Sequence, residues 1–172
     1  MYTPLFIKTD YSLLSSLIKI DDLITKCKKL NITSIAICDN NLFGTMELIH
    51  KCNRENIKPI IGLDLKINEE RILLYAKNDI GYYNIVFIES LKNEKEITVE
   101  DLKEHSQELI CISFKDNKKN QLYKSFYNDF YIGINNKKEE QNAIEQDYET
   151  VFINETVYLE DYLYKYLPYI FM

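Results

Sequence analysis

The sequence has little of several residue types that common functional sites require. It contains no tryptophan, two histidines, four glycines and four cysteines among 172 residues. The cysteines show no C-x-x-C spacing, which excludes a zinc site built from closely spaced Cys and His pairs. No glycines form G-x-G-x-x-G or a phosphate-binding loop, so nucleotide binding of the Rossmann or P-loop type is unsupported. Three cysteines fall inside apolar patterns and are predicted to be buried thiols: Cys27, Cys38 and Cys111.

The chain also lacks positive charge in excess and long apolar runs. Its 21 Lys and Arg against 27 Asp and Glu give a net charge of −6, so we expect no direct nucleic-acid contact from this segment. A hydrophobic share of 46% and a charged share of 28% are typical of a globular protein. No run reaches the roughly 20 residues of a membrane helix, and residues 1–4 lack a signal peptide pattern. We expect a cytoplasmic protein with a single domain over 1–172.

The hydrophobic period alternates between two and 3.6, which predicts alternating strands and helices. Strands are predicted over 4–8, 33–38, 59–63, 71–75, 109–112, 130–134 and 150–153, with helices between them. In the second helix we expect Met46 and Ile49 to face inward, and we expect Thr98 and Asp101 to form a capping box. This alternation predicts an α/β fold with a mostly parallel sheet, open or closed into a barrel.

Five segments together carry a family resemblance. Residues 5–14 (LFIKTDYSLL), 35–44 (IAICDNNLFG) and 57–62 (IKPIIG) resemble the first three motifs of the PHP (polymerase and histidinol phosphatase) domain. Residues 76–84 (AKNDIGYYN) and 151–159 (VFINETVYL) are similar to later motifs of the PHP domains in bacterial DNA polymerase III alpha subunits. The resemblance implies a distorted (β/α)7-like barrel in which active members hold two or three metal ions and hydrolyse phosphoesters.

Matching the motifs residue by residue implies that most metal ligands are replaced. Phe6 and Lys8 stand where the family has two histidines, and Asn40 stands where it has another. In the last motif, glutamate replaces the family aspartate and valine replaces its histidine. The degenerate positions are Phe6, Lys8, Asp39, Asn40, Asp64, Arg71, Glu155 and Val157. Neither His50 nor His105 falls on a ligand position.

Three carboxylates remain at or near the family's metal positions: Asp39, Asp64 and Glu155. Oxygen ligands of this kind suit a residual Mg²⁺ or Mn²⁺ site. Alternatively the carboxylates are satisfied by Lys8, Arg71 or water, with Lys8 paired to Asp39 or Asp64, and on this interpretation no cofactor is bound. We expect the second arrangement, because an ammonium group at a former ligand position neutralises carboxylates in place of a metal.

The resemblance implies a catalytically inactive PHP domain of a replicative C-family DNA polymerase, serving in DNA replication as a scaffold or docking module. Its partners would be the rest of the polymerase alpha subunit or replisome proteins, including a proofreading exonuclease. The parent protein would be a DNA-directed DNA polymerase, a nucleotidyltransferase, although this segment alone should not polymerise DNA. Two alternatives stay open: a residual Mg- or Mn-dependent phosphoesterase, and a free-standing pseudo-enzyme that acts as an interaction protein.

Tyrosines are frequent near the end of the chain. Residues 158–172 are predicted to form an aromatic helix in which Tyr162, Tyr166 and Tyr169 share one face. We predict that this stripe is a contact surface for the rest of the polymerase or a partner subunit. The alternative is that the helix folds back over its own barrel.

Overall fold

The computed structural model describes residues 2–115 and 117–170, with the side chains of residues 169 and 170 outside the description. Its strands are β1 (Ser34–Asp39), β2 (Lys58–Ile67), β3 (Glu70–Ala76), β4 (Leu109–Phe114), β5 (Asp129–Ile134) and β6 (Thr150–Phe152). Its α-helices are α1 (Ile20–Lys29), α2 (Thr45–Arg54), α3 (Asp79–Glu94), α4 (Val99–Glu104), α5 (Asn120–Lys124), α6 (Lys137–Glu145) and α7 (Leu167–Ile170). A 3₁₀ helix spans Asp161–Tyr166. Among the helices of the described ranges, none is long and apolar enough to cross a membrane.

The six strands form one sheet in sequence order, β1 to β6, which confirms the α/β class. β4, β5 and β6 run parallel, as predicted, whereas β3 is antiparallel to both β2 and β4. The prediction of a mostly parallel sheet is therefore wrong for β3. Ile67 pairs with Glu70, so only two residues connect β2 to β3, and Asn68 adopts a φ of 55° there. A parallel crossover needs a dozen residues or more, so this short connection forces a hairpin.

The strand predicted over 4–8 is reduced to a bridge at Ile7, which pairs with Ile37 on one side and Thr156 on the other. The Cys38 amide donates to the Ile7 carbonyl, and the Lys8 amide donates to the Thr156 carbonyl. Pro4 has no amide hydrogen with which to continue a ladder toward the N-terminus. The segment is nevertheless held on both sides by backbone hydrogen bonds.

The first of two compact units comprises the residues up to Ile61 and those from Asn154 onward. Its core is formed by α1, α2, β1 and the segment around Ile7. Met46 is 58% exposed, so the prediction that it faces inward is wrong. The buried face of α2 carries Thr45, Leu48 and Cys52, which are spaced by three and four residues, and Met46 lies off that face.

The second unit runs from Gly62 to Ile153. The helix α3 buries Gly81, Ile85 and Ile88. A Cβ atom on Gly81 would lie 2.1 Å from the Glu108 carbonyl oxygen, so only glycine permits this close approach.

The helix α4 begins with the predicted capping box between Thr98 and Asp101, which is confirmed. Hydrogen bonds from Lys95 and from the Thr98 amide and hydroxyl lower the pKa of the Asp101 carboxyl to about 2. The Asp101 carboxylate therefore stays ionised and keeps the cap intact at neutral pH.

The aromatic segment differs from the α-helix predicted over 158–172. It forms the 3₁₀ helix Asp161–Tyr166 followed by the single α-helical turn α7, and Tyr158 precedes both. A 3₁₀ helix has three residues per turn, so Tyr162 and Tyr166, four residues apart, do not share one face. The prediction of a continuous stripe is therefore wrong for this pair, and the side chain of Tyr169 lies outside the described residues.

Candidate functional site

Asp39 ends β1 and is only 3% exposed. Its Oδ1 accepts hydrogen bonds from the Thr9 amide at 2.7 Å and the Ser12 hydroxyl at 2.6 Å. Its Oδ2 accepts from the Thr9 hydroxyl at 2.5 Å. Both Thr9 and Ser12 are fully buried. Both carboxylate oxygens of Asp39 thus bond to donors from the segment that follows Lys8.

Burial raises the pKa of the Asp39 carboxyl above its ordinary value of 3.8. Hydrogen bonds from Ser12 and Thr9 and the positive charge of Lys8 act in the opposite direction. The three donors therefore offset part of the cost of placing this carboxylate in the core.

Lys8 and Glu155 form an ion pair within the first unit. The Lys8 Nζ lies 3.6 Å from the Glu155 Oε1, and the lysine side chain is 9% exposed against 37% for the glutamate. The sequence predicted that Lys8 pairs with Asp39 or Asp64. In the structure Lys8 pairs with Glu155, and its positive charge also lowers the cost of ionising Asp39. Lys8 therefore supplies a buried positive charge to this cluster.

The remaining predicted positions of this unit are apolar or amide side chains. Phe6 is buried at 2% exposure, and Val157 is partly buried. The Val157 carbonyl accepts from the Leu17 amide and the Ser16 hydroxyl, so the backbone of this segment is fixed. The Asn40 side-chain oxygen accepts from Asn41 at 2.9 Å.

Sequence reasoning missed Thr9 as a partner of Asp39. The Ser12 hydroxyl, which donates to Asp39, also accepts from the Asn40 amide at 3.1 Å. The available signal was a pair of small hydroxyl residues soon after the first predicted strand and an aspartate directly after the second. Such hydroxyls commonly satisfy neighbouring polar groups.

In the second unit Asp64 is 7% exposed and lies on β2. Arg71 on β3 binds it with two parallel hydrogen bonds, Nε to Oδ1 and Nη2 to Oδ2, each 2.7 Å long. Asp64 is paired in register with Leu73, so Arg71 is its diagonal neighbour across the hairpin. The Arg71 guanidinium also lies 5.8 Å from the ring centre of Phe114. The hairpin thus positions a bidentate, partly buried ion pair.

The two histidines belong to neither carboxylate cluster. His50 is exposed on α2, and His105 stacks on Phe87 with ring centres 5.2 Å apart. Among residues 2–115 and 117–170, no three His, Cys, Asp or Glu side chains are grouped so that they could hold a metal ion.

The side chains at the predicted metal positions do not fit a two-metal hydrolytic centre. Such a centre needs several imidazole and carboxylate groups with lone pairs directed at the ions. Phe6 and Val157 have no donor atom, and the cations Lys8 and Arg71 have no lone pair to offer. The Asp39 oxygens already accept three hydrogen bonds, and both Asp64 oxygens bind Arg71.

The tyrosines predicted to form a contact surface are exposed where they are described. Tyr162 and Tyr166 are 66% and 47% exposed, and Tyr164 is 64% exposed. Tyr158 packs edge-on against Tyr164 with ring centres 5.8 Å apart.

Comparison with known proteins identifies the family. The model of the PHP domain family matches residues 5–161. The DNA polymerase III subunit alpha of Borreliella burgdorferi is 33% identical over an alignment covering 77% of this chain and 15% of that protein. The same subunit of Campylobacter jejuni is 34% identical over 65% of this chain and 11% of its own length. The chain therefore spans a small fraction of these relatives.

Solved structures share the fold at low sequence identity. A two-domain protein of Bacteroides vulgatus, described as containing a predicted PHP-like metal-dependent phosphoesterase, aligns over 90% of this chain and 51% of its own, with a TM-score of 0.62 and 7% identity. An amidohydrolase of Chromobacterium violaceum aligns over 99% of this chain and 97% of its own, with a TM-score of 0.59 and 8% identity. These structures share the fold, and the family-model match over residues 5–161, together with the order of the motifs, shows that the chain belongs to the PHP domain family.

Proposed function

We propose that this chain is a catalytically inactive PHP domain of the kind found in replicative DNA polymerases, contributing structure and contacts instead of phosphoester chemistry. The observation that carries the proposal is the buried Lys8 at a predicted histidine position of the family, where it pairs with Glu155. Its positive charge also offsets part of the rise that burial causes in the pKa of Asp39. Arg71 supports the same interpretation at Asp64 in the second unit.

The physical argument concerns charge compensation. Carboxylates at a metal centre are tolerated in a protein interior because the ions neutralise them. Lys8 and Arg71 provide fixed positive charge to the same carboxylates without offering a coordination site. The chain therefore retains a stable PHP fold without needing a metal cofactor, and no cofactor is proposed.

The similarity to DNA polymerase III alpha subunits supports a role in DNA replication in the cytoplasm. The proposed partners are the rest of an alpha subunit or other replisome proteins, a proofreading exonuclease among them. The exposed Tyr162 and Tyr166 are the proposed contact residues on this chain. Two exposed aromatic rings of this size supply enough surface to anchor an interface.

The loss of catalysis is tested with the purified chain. Metal content is measured after incubation with Mn²⁺, Zn²⁺ or Mg²⁺, and hydrolysis is followed with p-nitrophenyl phosphate and with DNA 3′ ends. We expect less than one tightly bound ion per chain and a hydrolysis rate equal to that of a matched Asp39→Asn, Asp64→Asn variant. Two or more tightly bound ions, or a rate that this variant abolishes, would establish a residual phosphoesterase and contradict the proposal.

The docking role is tested by mixing the chain with the part of the Borreliella burgdorferi alpha subunit that follows its matched segment. We expect co-elution in size-exclusion chromatography, and we expect Tyr162→Ser with Tyr166→Ser to weaken it about tenfold or more while the melting temperature stays unchanged. Tyr83→Ser, a similarly exposed tyrosine on α3, is the matched control.

No association of the wild-type chain would contradict the docking role and favour a free-standing interaction protein. A fall of many degrees in melting temperature with unchanged association would instead show that the tyrosines pack against their own unit.

A further inference from the structure

A groove of about 470 Å³ lies in the first unit between the loop after Lys8 and the start of α2. Leu13 and Phe43 line it, and the buried Ile20 contributes to its apolar lining. We call it the Leu13–Phe43 groove. Its lining residues include neither Asp39 or Asp64 nor the tyrosines near the end of the chain.

The groove has a rigid frame. The Tyr11 hydroxyl donates to the Glu47 Oε2 at 2.6 Å, and the Asn41 side-chain amide donates to the Tyr11 carbonyl at 2.8 Å. Gly44 packs so tightly on Tyr11 that a Cβ there would lie 2.6 Å from the Tyr11 Cδ2. A frame fixed in this way loses little conformational entropy when it binds.

Large apolar side chains are nevertheless left in solvent around this frame. Leu13 and Phe43 are each 80% exposed, and the adjacent Leu14 is 71% exposed with a φ of 59°, a conformation that is rare for leucine. Met46, three residues after Phe43, is 58% exposed. Leu13 and Phe43 line the groove, whereas Leu14 and Met46 are their neighbours in sequence. Together these four side chains expose on the order of 500 Å² of apolar surface, at the upper end of what a monomer normally shows.

The groove also carries two opposite charges with no ion-pair partner in the described part of the chain, Asp10 and Lys19. The other acidic groups of the groove, Asp21 and Glu47, both form ion pairs with Lys51, at 2.6 and 2.5 Å. The Asp10 amide donates to the Ile18 carbonyl, so Asp10 and Lys19 lie on neighbouring segments at one edge.

We propose that the Leu13–Phe43 groove binds a second copy of this chain across a two-fold axis. An interface of this type requires a patch that complements itself. One positive and one negative group at the same edge meet this condition, because Asp10 of each copy then faces Lys19 of the other while the apolar side chains cover one another.

The exposed area indicates the strength of the dimer. Two patches of about 500 Å² bury about 1,000 Å² in total, below the roughly 1,600 Å² of a standard interface. The dimer is therefore weak and reversible, and it forms at high protein concentration.

Sedimentation velocity of the full chain from about 10 µM to about 1 mM tests the proposal. The wild-type chain is expected to shift from monomer to dimer across this range. Phe43→Ser and Leu13→Ser should each weaken association at least about tenfold without changing the melting temperature, since both residues are exposed. Ile144→Ser, a similarly exposed residue of α6, is the control that should leave the dimer unchanged.

A charge exchange tests the geometry independently. Asp10→Lys alone and Lys19→Asp alone should each weaken the homodimer about tenfold, since like charges then face each other. An equimolar mixture of these two variants should associate more tightly than either alone, because opposite charges meet again.

A wild-type chain that stays monomeric throughout overturns the proposal and leaves the groove to a different partner. Dimerisation that is insensitive to Phe43→Ser and Leu13→Ser, or a mixture that does not recover association, overturns it as well.

Discussion

The two units hold their buried aspartates in different ways. Asp39 in the first unit accepts three hydrogen bonds from Thr9 and Ser12, and the positive charge of Lys8 also acts on it. Asp64 in the second unit is bound directly by the Arg71 guanidinium across a hairpin. A buried carboxylate in this fold is therefore stabilised either by neutral hydrogen-bond donors or by a paired cation. These two arrangements should respond differently to mutation and to pH.

Loss of the paired cation should have the largest effect. Arg71→Met is expected to lower the free energy of unfolding by about 3 kcal/mol, because Asp64 would remain buried without its bidentate partner. Adding Asp64→Leu to this variant should recover part of the loss. Urea denaturation of both single variants and the double variant measures the coupling, with the exposed Lys66→Met on β2 as the control. Independent, additive effects of the two substitutions would contradict the pairing.

Substitution of Lys8 should lower the free energy of unfolding less than substitution of Arg71. Lys8→Met is expected to lower the free energy of unfolding by about 2 kcal/mol, because Lys8 pairs at 3.6 Å with the partly exposed Glu155 and Asp39 keeps its three donors. Lys8→Arg should retain most of the stability, since it keeps the charge. Equal stability of wild type and Lys8→Met in thermal or urea unfolding would rule out charge compensation by Lys8.

Removal of one neutral donor should have a smaller effect still. Ser12→Ala is expected to lower the free energy of unfolding by about 1 kcal/mol, since Asp39 keeps its two bonds from Thr9. The same variant should raise the pKa of Asp39 further, because the Ser12 hydrogen bond lowers it. An NMR titration of the carboxyl group measures the pKa, and a fall in the pKa of Asp39 would contradict the assigned role.

The smallest effect should be a pH dependence carried by Asp39. Because burial raises its pKa above 3.8, the folded protein takes up a proton here more readily than the unfolded chain. The stability that Asp39 contributes is therefore fully present below its ordinary pKa and is lost as the pH rises through the folded pKa. The stability of wild type relative to Asp39→Asn should increase on going from about pH 7 to about pH 4. A decrease over this range in paired urea denaturations would reverse the assignment.

Much of the fold followed from local pattern. The six strands lie at the predicted positions within a few residues, and the capping box at Thr98 is present as expected. The predictions were wrong where contacts between segments distant in sequence determine the structure. The reversal of β3, the bridge at Ile7 and the outward position of Met46 depend on strand pairing and packing, which periodicity does not specify.

For the candidate site, too, some features were predictable from the sequence and others depended on long-range contacts. The match to the PHP family confirms the resemblance, and the positions at which metal ligands are replaced remain a prediction that rests on it. Thr9 escaped notice because its role depends on a contact across 30 residues of chain. The predictions that the domain is inactive and that Tyr162 and Tyr166 bind a partner remain predictions.

By itself the sequence determined the family, the alternation of helices and strands and the absence of imidazole at Phe6, Lys8, Asn40 and Val157, because these depend on residue types and their order. Only the tertiary structure decided which partner each surviving carboxylate has. Thr9 and Ser12 reach Asp39, and Arg71 reaches Asp64, because strand register and the loop after Lys8 bring donors within hydrogen-bonding distance. A buried carboxylate is stabilised by whichever donors lie within hydrogen-bonding distance, and tertiary packing determines which donors those are.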